Sequence, residues 1–232
     1  MKKEKIDFRL DATSFNEIDK AIVYMYGDIV DERPRDWWSG EEVEGDFIIP
    51  KEVRTLFDGI EENNIELHIN SYGGSVFASI SIFNYLKSLD KNITTINDGI
   101  CASGASLIFM AGNKAIMPSN TMLMVHRASS YGWGNCKDLR ELANTLEKLD
   151  NSTVLETYKT RYKGTDEELM NLIDSETWIS AKECLEFGFC DELQDISNDN
   201  KPEETPEPEE PEKEEINNGI KIMTNFAKLK FK

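Results

Sequence analysis

The sequence predicts an α/β protein with a largely parallel sheet, on three observations. Short apolar runs of strand length alternate with stretches of helical apolar spacing, which is the pattern of βαβ units. Two of the strand-to-helix turns are built from small residues, Tyr-Gly73-Gly74-Ser and Ala-Ser103-Gly104-Ala. The chain of 232 residues is long enough for one sizeable core plus a tail.

Taken in order, Ala21-Ile-Val-Tyr-Met-Tyr-Gly-Asp-Ile-Val reads as a strand that ends near Gly27. The polar, tryptophan-bearing stretch 31–46, with Pro34, Trp37, Trp38 and Gly40, reads as a loop or flap. A helix is expected over 49–62 and a short strand over 65–69, followed by the Gly73-Gly74 turn. Val76, Ile80, Phe83 and Leu86 give 76–89 helical spacing. Strands are expected at 93–96 and 121–125, with a helix between them over 103–110. Residues 137–162 read as one long amphipathic helix, with Leu139, Leu142, Leu146, Leu149 and Leu155 on or near one face. Two further helices are expected at 166–173 and 181–187, the second capped by Gly188. No internal repeat is seen.

Composition narrows the function. The formal charge of −18 disfavours nucleic acid and anionic membrane as partners, because both select Lys and Arg. No apolar run approaches the roughly 20 residues of a membrane span, and no secretory leader is read at the N-terminus. Cys101, Cys136, Cys184 and Cys190 lack the paired spacing of a metal site and read as reduced packing residues, which suits a cytoplasmic protein. No metal or cofactor is expected. The folded domain is placed at 1–197. Residues 198–219 hold a Pro- and Glu-rich linker that is expected to be disordered. Residues 220–232 form a basic, apolar C-terminal segment, read as a docking helix or a frayed end.

The chemistry centres on Ser103. A serine where a strand turns into a helix is exposed beside free backbone N–H groups, which suit an oxyanion. It needs a base, and the chain has only two histidines. His68 lies in the Glu-Leu-His-Ile alternation and reads as a strand-face residue; His126, at the end of an apolar strand, is the candidate base. Glu176 or Asp174 supplies a candidate carboxylate, although acids before a helix also serve as caps. The Gly73-Gly74 turn reads as an oxyanion and substrate turn, since glycine permits close backbone approach. It lacks the Lys-Ser/Thr of a phosphate-binding loop and the third glycine of a dinucleotide fingerprint. Ser106, one helical turn beyond Ser103, reads as a packing residue.

Together, Ile69-Asn-Ser-Tyr-Gly-Gly-Ser, Gly99-Ile-Cys-Ala-Ser-Gly-Ala-Ser, Met122-Leu-Met-Val-His-Arg and Trp178-Ile-Ser-Ala-Lys-Glu-Cys-Leu-Glu-Phe-Gly resemble the Clp protease proteolytic subunit family. The resemblance spans roughly residues 21–193. It implies a crotonase-like (ClpP-like) fold of repeated βαβ units with a long protruding helix, and a ring-like homo-oligomer that cleaves protein or peptide substrates. It also implies Ser103 as nucleophile, His126 as base, Gly74 and Gly104 as oxyanion donors, and Glu176 as the acid with Asp174 in reserve. Tyr72 stands where the family has proline, Gly104 where it has methionine, and Arg127-Ala128 where it has Gln-Pro. Glu176 is one methylene longer than the usual aspartate.

The tryptophan loop, Tyr131-Gly-Trp-Gly-Asn and Ser175-Glu-Thr-Trp-Ile-Ser-Ala look like the head-maturation proteases of tailed phages. That branch would act in the host cytoplasm or procapsid on scaffold or capsid precursors, with no need of ATP. The alternatives are a housekeeping Clp proteolytic subunit working with an ATP-dependent unfoldase, an acyl-CoA enzyme of the same fold class that needs no Ser-His pair, and a catalytically dead assembly protein.

Overall fold

The computed structural model describes residues 12–14 and 20–196. The expected linker over 198–219 and the segment over 220–232 lie outside the described residues. The elements in chain order are β1 (Ala12–Ser14), β2 (Lys20–Tyr26), β3 (Asp28–Ile29), β4 (Phe47–Ile48), α1 (Pro50–Asp58), β5 (Asn64–Ser71), α2 (Val76–Ser88), β6 (Asn92–Ala102), α3 (Gly104–Phe109), β7 (Lys114–Pro118), β8 (Met122–Val125), α4 (Cys136–Leu149), a π turn (Asp150–Val154), α5 (Leu155–Lys159), α6 (Asp166–Asp174), β9 (Thr177–Ser180), α7 (Ala181–Phe187) and β10 (Glu192–Gln194).

The main sheet runs β1-β2-β5-β6-β7-β10, and β8 and β9 extend it from β6 along a second branch. Pairings β2/β5, β5/β6, β6/β7, β6/β8 and β7/β10 are parallel; β1/β2 and β8/β9 are antiparallel. The largely parallel α/β prediction therefore holds. The centre of the sheet is β6, which is longer than the expected strand over 93–96. Its first half pairs with β7 (Thr94↔Lys114) and its second half with β8 (Ala102↔Met124). Strands buried on both faces read as near-continuous apolar runs. Accordingly Val23, Leu67, Ile93, Cys101, Leu123 and Ile179 sit in one core with Phe109 and Phe189 from the covering segments.

Several local expectations are corrected. The first helix stops at Asp58 rather than residue 62, because Gly59 caps it and the chain turns into β5. Strands β7, β9 and β10 were not predicted; each is five residues or fewer. The single long helix over 137–162 is broken by the π turn, which resets the phase between α4 and α5. α4 buries no residue, whereas Val154, Leu155 and Tyr158 are in the core. The helix thus passes from surface to interior at the π turn. Among the four cysteines, Cys136 is exposed rather than packed; the other three are buried, and burial pushes the Cys101 thiol well up. Gly188 does cap α7, with a left-handed φ of 87°.

Candidate active site

The sheet brings the two central residues together. β6 and β8 are parallel neighbours in register, so their carboxyl ends finish side by side. Ser103 follows β6 and His126 follows β8. The Ser103 N–H donates to the Met124 carbonyl at 3.0 Å, locking the two ends together. Ser103 Oγ and His126 Nε2 are 2.7 Å apart, a hydrogen bond between the candidate nucleophile and base. His68 is elsewhere: it stands in β5 with Nδ1 2.8 Å from Asp98 Oδ1, the strand-face residue the alternation predicted.

Ser103 has φ 51° and ψ −124°. A non-glycine residue there carries a strain of about 1–3 kcal/mol, held only where the surroundings over-determine it. Among the described residues two non-glycines have positive φ, Ser103 and Glu176. The Gly73-Gly74 turn abuts Ser103: a Cβ at Gly73 would lie 2.7 Å from Gly104 N and 2.8 Å from Ser103 Cβ. A Cβ at Gly74 would meet the Ile29 carbonyl oxygen at 2.0 Å. Glycine is therefore required at both positions for the turns to close. The Gly74 and Gly104 amides are neighbours, and neither N–H has an acceptor among the described residues. Two free donors beside a serine hydroxyl are the arrangement that stabilises a tetrahedral oxyanion.

Beside the pair is a cavity of about 340 Å³ lined mainly by apolar groups, including Val76, Phe77, Leu107, Leu142 and Leu146. The leucine face of α4 thus contributes to the cavity wall, which periodicity alone did not place. The Cδ2 tips of Leu139 and Leu142 lie against Gly132, so a side chain there would displace them.

The acidic side is less complete. Asp174 Oδ1 binds Arg127 Nε at 2.6 Å, and Arg127 Nη1 also reaches the buried Asp150 at 3.2 Å. These carboxylates, Asp174 foremost, hold the Arg127 guanidinium pKa above its ordinary value. Asp174 is thus a partner of the residue after His126, not of His126. Asp150 also accepts the Ala128 N–H at 2.8 Å; sequence reasoning missed this residue, for which a buried carboxylate inside a helical run gives no motif. Glu176 is exposed, and among the described residues no carboxylate bonds His126. The β8/β9 ladder ends at Val125↔Thr177, so His126 and Glu176 are the residues that flank its last pair. Among the described residues no cluster of three or more His, Cys, Asp or Glu is arranged to hold a metal.

The Clp protease family model matches residues 49–197. The chain belongs to the Clp protease family. It is 28% identical to the ATP-dependent Clp protease proteolytic subunit 2 of Bifidobacterium longum, over 67% of this chain and 77% of the relative. It is 30% identical to the corresponding subunit 2 of Thermobifida fusca, over 69% and 81%, and 28% identical to the proteolytic subunit of Deinococcus radiodurans, over 60% and 69%. The Clp family is a family of serine peptidases, and the mostly parallel α/β sheet is consistent with the ClpP-like fold expected from the sequence. None of these three relatives carries the name of a head-maturation protease. No helix among the described residues is long and apolar enough to cross a membrane.

Proposed function

We propose that this Clp-family chain is a serine endopeptidase in which Ser103 is the nucleophile, His126 the base, and the Gly74 and Gly104 N–H groups the oxyanion donors. The observation that carries the reading is the 2.7 Å contact of Ser103 Oγ with His126 Nε2 beside two unengaged amides. His126 Nε2 takes the Ser103 proton as Oγ attacks a peptide carbonyl. The tetrahedral oxyanion is held by the two N–H groups. As the C–N bond breaks, His126 returns the proton to the leaving amine and leaves an ester on Ser103. Water then attacks that ester with His126 again as base, which frees the carboxyl product and restores the serine. Glu176 is assigned to orient His126, with support from the β8/β9 register and its strained φ of 49°; Asp174 is held by Arg127. The apolar cavity selects apolar side chains next to the scissile bond.

In this reading chemistry on short peptides needs no nucleotide. Degradation of folded proteins is assigned to a ring-like homo-oligomer acting as the proteolytic subunit beside an ATP-dependent unfoldase, which the relatives' names favour. The exposed Trp37 and Trp38, 89% and 85% accessible, favour the second reading of a head-maturation protease that cuts scaffold or capsid precursors. The test is hydrolysis of a fluorogenic peptide with an apolar residue before the scissile bond, without nucleotide, by wild type and His126→Ala. Activity lost in the variant supports the mechanism; equal activity in both refutes it. Co-purification of a stoichiometric ATPase from the native source supports the unfoldase role, and cleaved capsid precursor in its place supports the second reading.

A further inference from the structure

The strained peptide at Ser103 is held from behind by two residues that the mechanism above does not use. The Ser103 carbonyl accepts from Ser106 N at 3.0 Å and from Ser106 Oγ at 2.6 Å. Ser106 Oγ is in turn 2.7 Å from the hydroxyl of Tyr158. A serine hydroxyl has one proton. With that proton on the Ser103 carbonyl, Tyr158 is the donor to Ser106. Both side chains are in the core, Ser106 at 0% and Tyr158 at 1% exposure. Burial pushes the Tyr158 phenol pKa up, so the group stays protonated. Tyr158 reaches this point because the π turn rotates α5 into the interior.

The Ser103 carbonyl and the Gly104 N–H belong to one planar trans peptide, so they point in opposite directions and turn together. Fixing the carbonyl therefore fixes where the N–H points. We propose that the Tyr158–Ser106 pair is a positioning relay that aims the Gly104 N–H into the oxyanion site. This rests on the peptidase reading. It makes Ser106 more than the packing residue its small size suggests.

The test uses Ser106→Ala, Tyr158→Phe and the double variant in the full-length protein, with kcat and KM for the fluorogenic peptide and a thermal melt for each. Ser106→Ala removes the shorter of the two bonds to the Ser103 carbonyl, keeps the backbone one, and leaves a buried phenol without its partner. It should lower kcat about tenfold or more with KM within about twofold, the signature of a lost transition-state interaction, and lower Tm. Tyr158→Phe should lower kcat less, because Ser106 still donates. Replacing both hydrogen-bonding partners by apolar groups removes the unsatisfied hydroxyl. The double variant should therefore regain Tm relative to Ser106→Ala while its kcat stays low. A kcat that recovers with Tm, or a folded Ser106→Ala at wild-type kcat, overturns the relay. If Ser106→Ala does not fold, the relay stands or falls on Tyr158→Phe, where lowered kcat at unchanged KM supports it and wild-type kcat overturns it. A wild type that hydrolyses no peptide would instead sink the peptidase reading itself.

Discussion

Two strand-to-helix turns meet at the candidate site, and they solve the same geometric problem in opposite ways. Between β5 and α2 the chain reverses at Gly73 and Gly74, whose φ values of 97° and 146° are open to glycine. Between β6 and α3 it reverses at Ser103, φ 51°, where a side chain is retained at a cost. The first turn contributes only backbone, and the absence of a side chain lets the second turn approach it. The second contributes a hydroxyl, so the strain is kept and countered by bonds from the Ser103 N–H to Met124 and to its carbonyl from Ser106. Strain left unrelieved marks the residue whose side chain the site needs.

The comparison breaks most sharply at Gly74. Gly74→Ala forces a Cβ to within 2.0 Å of the Ile29 carbonyl oxygen. Its expected cost is about 100-fold or more in kcat/KM through the displaced N–H, with about 2–3 kcal/mol of stability. Peptide kinetics and urea denaturation check both. Should Gly74→Ala retain wild-type kcat/KM, the first turn has no part in oxyanion binding.

A smaller effect separates the two carboxylates. Glu176→Gln is expected to lower kcat on the order of 100-fold, the low end of acid–base assistance, because the variant leaves His126 itself in place. Asp174→Asn, which weakens a half-exposed ion pair to Arg127, should cost less than about fivefold, as such pairs contribute at most about 1 kcal/mol. The reverse order in kcat would move the orienting role to Asp174.

The smallest effect sharpens the comparison directly. Ser103→Gly and Ser103→Ala both lack the nucleophile, but only glycine removes the strain. Ser103→Gly should be the more stable by about 1 kcal/mol in urea denaturation. Equal stability, or a more stable alanine variant, would mean that the turn is not strained.

Much of this was legible in the sequence because the relevant signals are local. The alternation of apolar runs and helical spacing predicts the parallel sheet, and Gly188 announces its left-handed cap. Ser103 and His126 follow from residue type and position at strand ends, and the register of β6 and β8 brings them together. What was not legible depends on long-range pairing. β7 alternates in burial, but Lys114-Ala-Ile-Met-Pro is too short to stand out before its partner β6 is known. β9 reads as a helix lead-in until β8 pairs with it. The leucine spacing over 139–149 suits a helix, and the phase shift to Leu155 across the π turn is too short a signal to read as a break. Residue type and spacing leave Asp174 and Glu176 equivalent, and the ion pair of Asp174 to Arg127 is one that no spacing rule reveals.

The most direct test of the central claim is the intact mass of the protein after reaction with a fluorophosphonate, wild type beside Ser103→Ala. A serine activated by His126 predicts one adduct on the wild type and none on the variant. Adducts on both, or on neither when both are folded and assembled, would contradict it.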